Sequence, residues 1–256
     1  MQKLLARQIL LVFVLFLVAA SRPMFGADGA VAAKSKVRVL LIFGGHEFET
    51  NRFWQVFQDN PDITYKAIQH PEAQAWFTAE RAREYDVLVF YDMFQTISDQ
   101  AKTDLVNRLK EGKGLVALHH CLASFQSWDE YKNIIGGRYH LQKWTQNGVE
   151  KPGSTYLHDV DFTVHVADPN HSVTLGVKDF PIHDETYGGF EVAPDSHVLL
   201  TTDAPTSGQS IGWTKSYGKA RVVYLELGHD HQAYENPNYR RLVRQAINWT
   251  ASHDNH

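Results

Sequence analysis

Val37-Arg38-Val39-Leu40-Leu41-Ile42-Phe43 is a β-branched and aliphatic run that stops abruptly in Gly44-Gly45-His46-Glu47. The same transition recurs twice. Gly114-Leu115-Val116-Ala117-Leu118 runs into His119-His120, and Arg221-Val222-Val223-Tyr224-Leu225-Glu226-Leu227 runs into Gly228-His229-Asp230-His231. Such runs read as buried strands of a parallel sheet, and an open α/β sheet binds its ligands just beyond the carboxyl ends of its strands. Imidazole is the usual side chain for divalent metals and for proton transfer near neutral pH. Three histidine clusters at the same end of three strands therefore predict one site assembled by the fold.

The segments between these runs alternate as βα units should. A helix is expected over 51–58, a strand over 63–68, a helical segment near 80–84, a strand over 86–91 and a helix over 98–111. The last has Ser98 as its N-cap and Gly112 as its stop. This order predicts an α/β, doubly wound, mostly parallel sheet with right-handed crossovers and helices on both faces. The middle is less regular. A helix falls within 126–140, short strands at 162–166, 191–192 and 198–202 are separated by loops, and 211–213 with 220–227 make a hairpin. Asn236-Pro237 caps and starts the final helix, which runs to about Trp249.

Lys3 and Arg7 precede an apolar stretch from Ile9 to Ala20, and small residues follow up to Ala27. That pattern predicts a secretory signal peptide over 1–27 rather than a membrane span, and so an exported, periplasmic or secreted protein with no stable membrane insertion after cleavage. Residues 28–36 read as a linker and 37–252 as a single domain. Cleavage removes three of the 25 basic residues and none of the 29 acidic ones, leaving a net charge of −7. This excludes a nucleic-acid footprint. Cys121 is the only cysteine, so stability must come from a core and not a disulfide.

The candidate site is built from these clusters. His46, His119 and His229 are read as metal ligands or acid–base groups. His119, where a strand enters a helix, occupies the position of a nucleophile elbow. Cys121 stands late for that role and reads as an inert thiol. Asp184-Glu185, expected in a loop, supply a base or a ligand (Glu185) and its support (Asp184), and His140 is a further catalytic candidate. Glu47, His120, Tyr187, Trp213 and His171 are candidate substrate contacts. Trp128 and Trp144 could join them, since aromatic faces pack against sugar C–H groups, whereas Trp54, Trp76 and Trp249 read as core and His70, His158, His165 and His197 as surface or strand residues. A divalent ion, zinc or manganese, suits such N/O donors. No dinucleotide fingerprint or phosphate-binding loop occurs.

With these residues in view the chain resembles the ThuA-like, trehalose-utilisation family. The likeness runs from about Val37 to Trp249 through His46-Glu47-Phe48, Gly112 to His119, Gly136-Gly137-Arg138-Tyr139-His140, His171 to Thr174, Asp184-Glu185-Thr186-Tyr187 and Gly218 to His229. The resemblance implies a flavodoxin-like, class I glutamine amidotransferase-like fold without that superfamily's catalytic cysteine. It also implies carbohydrate catabolism through sugars or keto-sugars such as 3-keto-glycosides. This chain departs from the family in carrying His120-Cys121 where small residues usually follow the elbow histidine. The expectation is a metal-assisted enzyme that hydrolyses, eliminates or isomerises a sugar derivative. A metal-free hydrolase using the same groups and a non-catalytic carbohydrate-binding protein are the alternatives.

Overall fold

The computed structural model describes residues 35–252. The expected signal segment 1–27 lies outside them, as does the expected linker up to residue 34. No helix among the described residues is long and apolar enough to cross a membrane.

The four apolar runs of the first half are strands β1 (Val37–Gly44), β2 (Ile63–Gln69), β3 (Val87–Asp92) and β4 (Gly114–Leu118). They are joined by helices α1 (Thr50–Gln58) and α2 (Asp99–Glu111). The Ser98 hydroxyl accepts the Ala101 N–H, and Gly112 ends α2 in the left-handed conformation. The helix expected near 80–84 is instead a pair of 3₁₀ turns, Glu72–Phe77 and Arg81–Arg83. Its buried residues Ala73, Phe77 and Ala82 are too sparse to build an α-helical stripe.

Beyond β4 come α3 (Asp129–Ile135), the two-residue β5 (Gly137–Arg138), and a small hairpin of β6 (Trp144–Gln146) with β7 (Val149–Lys151). A long ribbon follows, β8 (Thr155–Val166) against β9 (Phe180–Gly188). The chain continues through β10 (Glu191–Val192), β11 (His197–Thr201), β12 (Ser210–Tyr217) and β13 (Ala220–Leu225). It ends with α4 (His231–Glu235), capped by Asp230, and α5 (Pro237–Ala251), capped by Asn236.

The nine-stranded sheet has the order β2-β1-β3-β4-β13-β12-β11-β8-β9. The first five strands are parallel and the rest pair antiparallel. The architecture is α/β and flavodoxin-like, as expected, with a larger antiparallel extension than the βα alternation announces. Side chains alternate across the parallel half. Val39, Leu41, Val89, Val116 and Val223 lie under α1 and α5, whereas Leu40, Ile42, Leu88, Leu115 and Tyr224 lie under α2 and α3. Register aligns Gly44 with Asp92 and Leu118 with Leu225. The loops after β1, β3, β4 and β13 therefore share one edge.

Gly114 opens β4 against the last turn of α5, where a Cβ would come within 2.3 Å of the Thr250 carbonyl oxygen. Gly114→Ala is expected to lower stability by about 1–3 kcal/mol, read as a lower urea midpoint; an unchanged midpoint would contradict this packing. At the ribbon's far end, His165 Nδ1 donates to Asp179 Oδ2 at 2.8 Å, and the Val166 N–H donates to Asp179 Oδ1 at 2.9 Å. That bond to Asp179 lifts His165 above the ordinary imidazole value, with Asp203 adding to it. The pairing therefore favours the fold below the ordinary histidine pKa and fades as pH rises through the raised one, weakly because the pair is solvated. NMR titration should find His165 above about 6.5 and Asp179→Asn should bring it down.

Candidate functional site

His119 follows β4 directly and starts the 3₁₀ turn His119–Ala123. Its φ of +52° is a left-handed backbone in a non-glycine residue. Such strain costs on the order of 1–3 kcal/mol and persists only where surroundings enforce it. Here they do: the Tyr224 hydroxyl donates to the His119 carbonyl at 2.9 Å, and the wholly buried imidazole donates through Nδ1 to the Glu226 carbonyl at 2.6 Å. A carbonyl only accepts, so the proton of neutral His119 is on Nδ1 and Nε2 carries a lone pair. His46 is fixed alike by the Glu47 carbonyl (2.6 Å) and His120 by the Asp92 carbonyl (3.1 Å).

The bare Nε2 of His119 meets Glu185 Oε2 at 3.0 Å, His229 Nδ1 at 3.2 Å and the Tyr187 hydroxyl at 3.0 Å. Glu185 and Tyr187 sit on β9, not in the loop expected for Asp184-Glu185. The ribbon that carries them crosses to the carboxyl edge, helped by an irregular register between Leu157 and Val160. Asp184 faces away from this meeting point. Its carboxylate accepts the backbone N–H groups of Gly228 (2.7 Å), His229 (2.9 Å) and Glu185 (2.9 Å). It thereby positions the 228–229 loop. Burial pushes its carboxyl up against those bonds.

Gly228 has a φ of +113°, and a Cβ there would come within 2.4 Å of the Tyr239 hydroxyl. The Tyr91 hydroxyl donates to the Gly228 carbonyl (2.7 Å) and that of Tyr234 to the His229 carbonyl (2.8 Å). The loop that presents His229 is thus held from both faces.

Burial raises the Glu185 carboxyl, but protons carried toward it by His119 and His229 more than reverse this, holding it well below the usual carboxylate range. The bond to Glu185 lifts His229 above its ordinary value. Glu185 Oε2 lies 3.3 Å from His229 Nδ1, and Oε1 lies 3.3 Å from His158 Nδ1. His119 Nε2 and Glu185 Oε2 are two acceptors in contact unless a proton or a metal ion lies between them. The separations of 3.0, 3.2 and 3.3 Å among His119 Nε2, His229 Nδ1 and Glu185 Oε2 suit an ion. Donors about 2.0–2.2 Å from zinc and roughly 90–110° apart stand about 2.8–3.6 Å from one another. Among the described residues this trio is the one group of three or more such side chains whose ligand atoms converge.

The trio adjoins a cavity of about 230 Å³ whose wall includes His46, His120, Tyr139, Tyr156, Glu185 and Tyr187. The other expected residues fall as follows. His46 does not join the trio: it is exposed and stands beside His120, ring centroids 5.0 Å apart, because Gly44 and Gly45 with positive φ swing the chain off the strand end. Glu47 is exposed and contributes its carbonyl to His46. His140 turns away from the trio, bonded to Glu191 at 2.9 Å and stacked on Trp144. Trp213 is wholly buried, its indole N–H donating to the Ile135 carbonyl, and belongs to the core. His171 packs on Trp249 at the opposite end of the sheet, where Arg221 begins its run along β13.

Tyr139 and Tyr156 join the cavity wall without having been site candidates, and His158, expected as a surface or strand residue, is an exposed residue of β8 that also lines it. Tyr156 and His158 lie two apart on β8 and so share a face. Reading residues 155–160 as strand would have paired them, but their exposed, polar mixture hides the period.

A family model described as ThuA, trehalose utilisation, matches residues 38–250. No curated protein matches the chain. Among solved structures, a protein described as ThuA-like from Parabacteroides merdae superposes with a TM-score of 0.70 at 16% identity, covering 85% of this chain and 91% of that one. Another from Bacteroides uniformis gives 0.65 at 18% identity, covering 88% and 96%. A cytoplasmic protein of Salmonella typhimurium gives 0.56 at 13% identity, covering 83% and 99%. At these identities the structural likeness establishes the fold.

Asp184→Asn replaces one acceptor oxygen with an N–H₂ that faces a backbone donor. The expected result is a loss of about 1–3 kcal/mol of stability and a 10–100-fold weaker hold on a bound ion, read by urea denaturation and calorimetric zinc titration. Unchanged values for both would show that the clamp on the 228–229 loop is dispensable.

Proposed function

The chain belongs to the ThuA, trehalose-utilisation family, and on that premise we propose that it is an exported enzyme performing metal-assisted acid–base chemistry on a sugar derivative. A 3-keto-glycoside fits, because a ketone at C3 acidifies the neighbouring C–H bond; hydrolysis, elimination or isomerisation can follow its loss. The observation that carries the proposal is the convergence of His119 Nε2, His229 Nδ1 and Glu185 Oε2, with the His119 tautomer fixed by the Glu226 carbonyl. Export rests on the Lys3–Ala27 segment alone.

Zinc or manganese suits these donors, and when bound would supply Lewis-acid stabilisation of negative charge on a carbonyl oxygen. His119, His229 and Glu185 would hold it. Both Glu185 oxygens are engaged by imidazoles, so Glu185 acts as a ligand and not as the base. Burial keeps the Tyr187 phenol protonated, a donor for a substrate oxygen. His46 lines the cavity and is exposed, so its Nε2 can pass protons between substrate and solvent. Tyr91, Asp184 and Tyr234 keep the His229 loop in place and touch no substrate.

One observation favours a metal-free variant of the same reading. A proton on His119 Nε2, donated to Glu185 Oε2 at 3.0 Å with the Tyr187 oxygen as a second acceptor at 3.0 Å, would satisfy the trio without an ion. Elemental mass spectrometry and turnover of 3-keto-glucosides, on the mature protein beside His119→Ala and Glu185→Gln, separate the two. Near-stoichiometric zinc or manganese in the wild type, lost in both variants together with at least about 100-fold of turnover, is expected. Turnover unaffected by chelation would establish the metal-free route. No turnover with or without metal, despite sugar binding, would leave a carbohydrate-binding protein.

A further inference from the structure

The cavity beside the trio has a size, a charge pattern and a rim that narrow the substrate class, on the premise that it receives a sugar. Its volume of about 230 Å³ is below the roughly 300–1,000 Å³ of sites for drug-sized ligands. It holds one ring and not two. Tyr139, Tyr187, Met93 and Ala123 supply apolar and aromatic surface, and His46, His120, His158 and Glu185 supply the polar groups. This mixture suits a ring whose faces are C–H and whose edges are hydroxyl.

Among the described residues that line it there is no lysine or arginine. A phosphate or carboxylate on the ring, away from the trio, would lose its water with no guanidinium or ammonium to replace it.

Whatever is attached to the ring must then lie at the mouth. There Tyr156 is 60% exposed and Leu141 37% exposed, both lining the cavity. The Tyr156 ring stands edge-on to His158, 5.1 Å between centroids, and His158 holds Glu185. An aromatic side chain left this open on a strand, next to an exposed leucine and above the polar cluster, has the form of a platform for a second ring.

We infer that the cavity takes one uncharged sugar ring, and that Tyr156 with Leu141 forms the subsite for the group joined to it. A sugar phosphate or uronate is excluded, and the ring is the terminal unit of its glycoside. Tyr156 is thus a specificity-determining residue at the rim.

The test is calorimetric and NMR binding to the zinc-loaded protein. A panel of free hexoses and keto-hexoses comes first. Whichever binds is then compared with its nitrophenyl glycoside, its 6-phosphate and its uronate, with inorganic phosphate as the control for anions at the trio. The 6-phosphate and uronate should bind at least tenfold more weakly than the parent ring. Tyr156→Ala should weaken the nitrophenyl glycoside about tenfold more than it weakens the free ring, with the zinc content unchanged. Equal or tighter binding of the phosphate, beyond what inorganic phosphate itself shows, would overturn the charge argument. Equal losses for ring and glycoside in Tyr156→Ala, or no loss in either, would overturn the rim subsite. Binding of charged sugars refutes this inference and leaves the carbohydrate reading standing; failure of every sugar on the panel overturns both.

Discussion

The hydrogen bond from His119 Nδ1 to the Glu226 carbonyl is the constraint on which the site depends. It joins the carboxyl ends of two adjacent parallel strands, β4 and β13, at 2.6 Å. It sets the tautomer of a buried imidazole, and by doing so decides that Nε2 offers a lone pair to whatever lies between it and Glu185. The left-handed backbone of His119 is retained because this bond, with that of Tyr224 to the His119 carbonyl, leaves the residue nowhere else to go. Two neighbouring histidines, His46 and His120, are fixed in the same way by main-chain carbonyls. The edge of the sheet thus presents imidazoles of defined tautomer without using a second carboxylate for each.

The scaffold contributes in two halves. The inner parallel strands β1, β3, β4 and β13 are largely buried on both faces, and they bring the loops that follow them to one edge. The antiparallel extension then returns across the molecule, and its ribbon of β8 and β9 delivers Glu185 and Tyr187 to that edge. Asp184 and Glu185 are consecutive in sequence and opposite in task, as alternation along a strand requires. One binds three backbone N–H groups and keeps the β13 loop in place; the other completes the trio. Burial acts on both, and the number and kind of partners decides the outcome: backbone donors leave Asp184 raised, whereas two imidazoles bring Glu185 down.

What the sequence disclosed follows from the same physics. Strands buried on both faces are unbroken apolar runs, so β1, β3, β4 and β13 and the histidines at their ends were legible, as were α2 and α5 through their caps. The ribbon was not. One half of β8 is exposed and mixes Thr, Tyr, His and Asp, so neither its strand nor the placement of His158 shows in its composition. Trp213 illustrates a different limit, since an aromatic residue type does not reveal which face of a strand it occupies; pairing with Tyr224 places it in the core. His140 and His46 failed to join the trio for local reasons. His46 follows Gly44 and Gly45, whose positive φ redirects the backbone, and His140 is drawn off to Glu191 and Trp144, a geometry that spacing alone does not reveal.

The most direct measurement is a crystal structure of the mature protein soaked in zinc, with anomalous differences collected at the zinc edge. One strong peak is expected, bonded to His119 Nε2, His229 Nδ1 and Glu185 Oε2, with His119 Nδ1 still on the Glu226 carbonyl. Full zinc exposure with no peak at the trio, and the three side chains unmoved around shared protons, would contradict it.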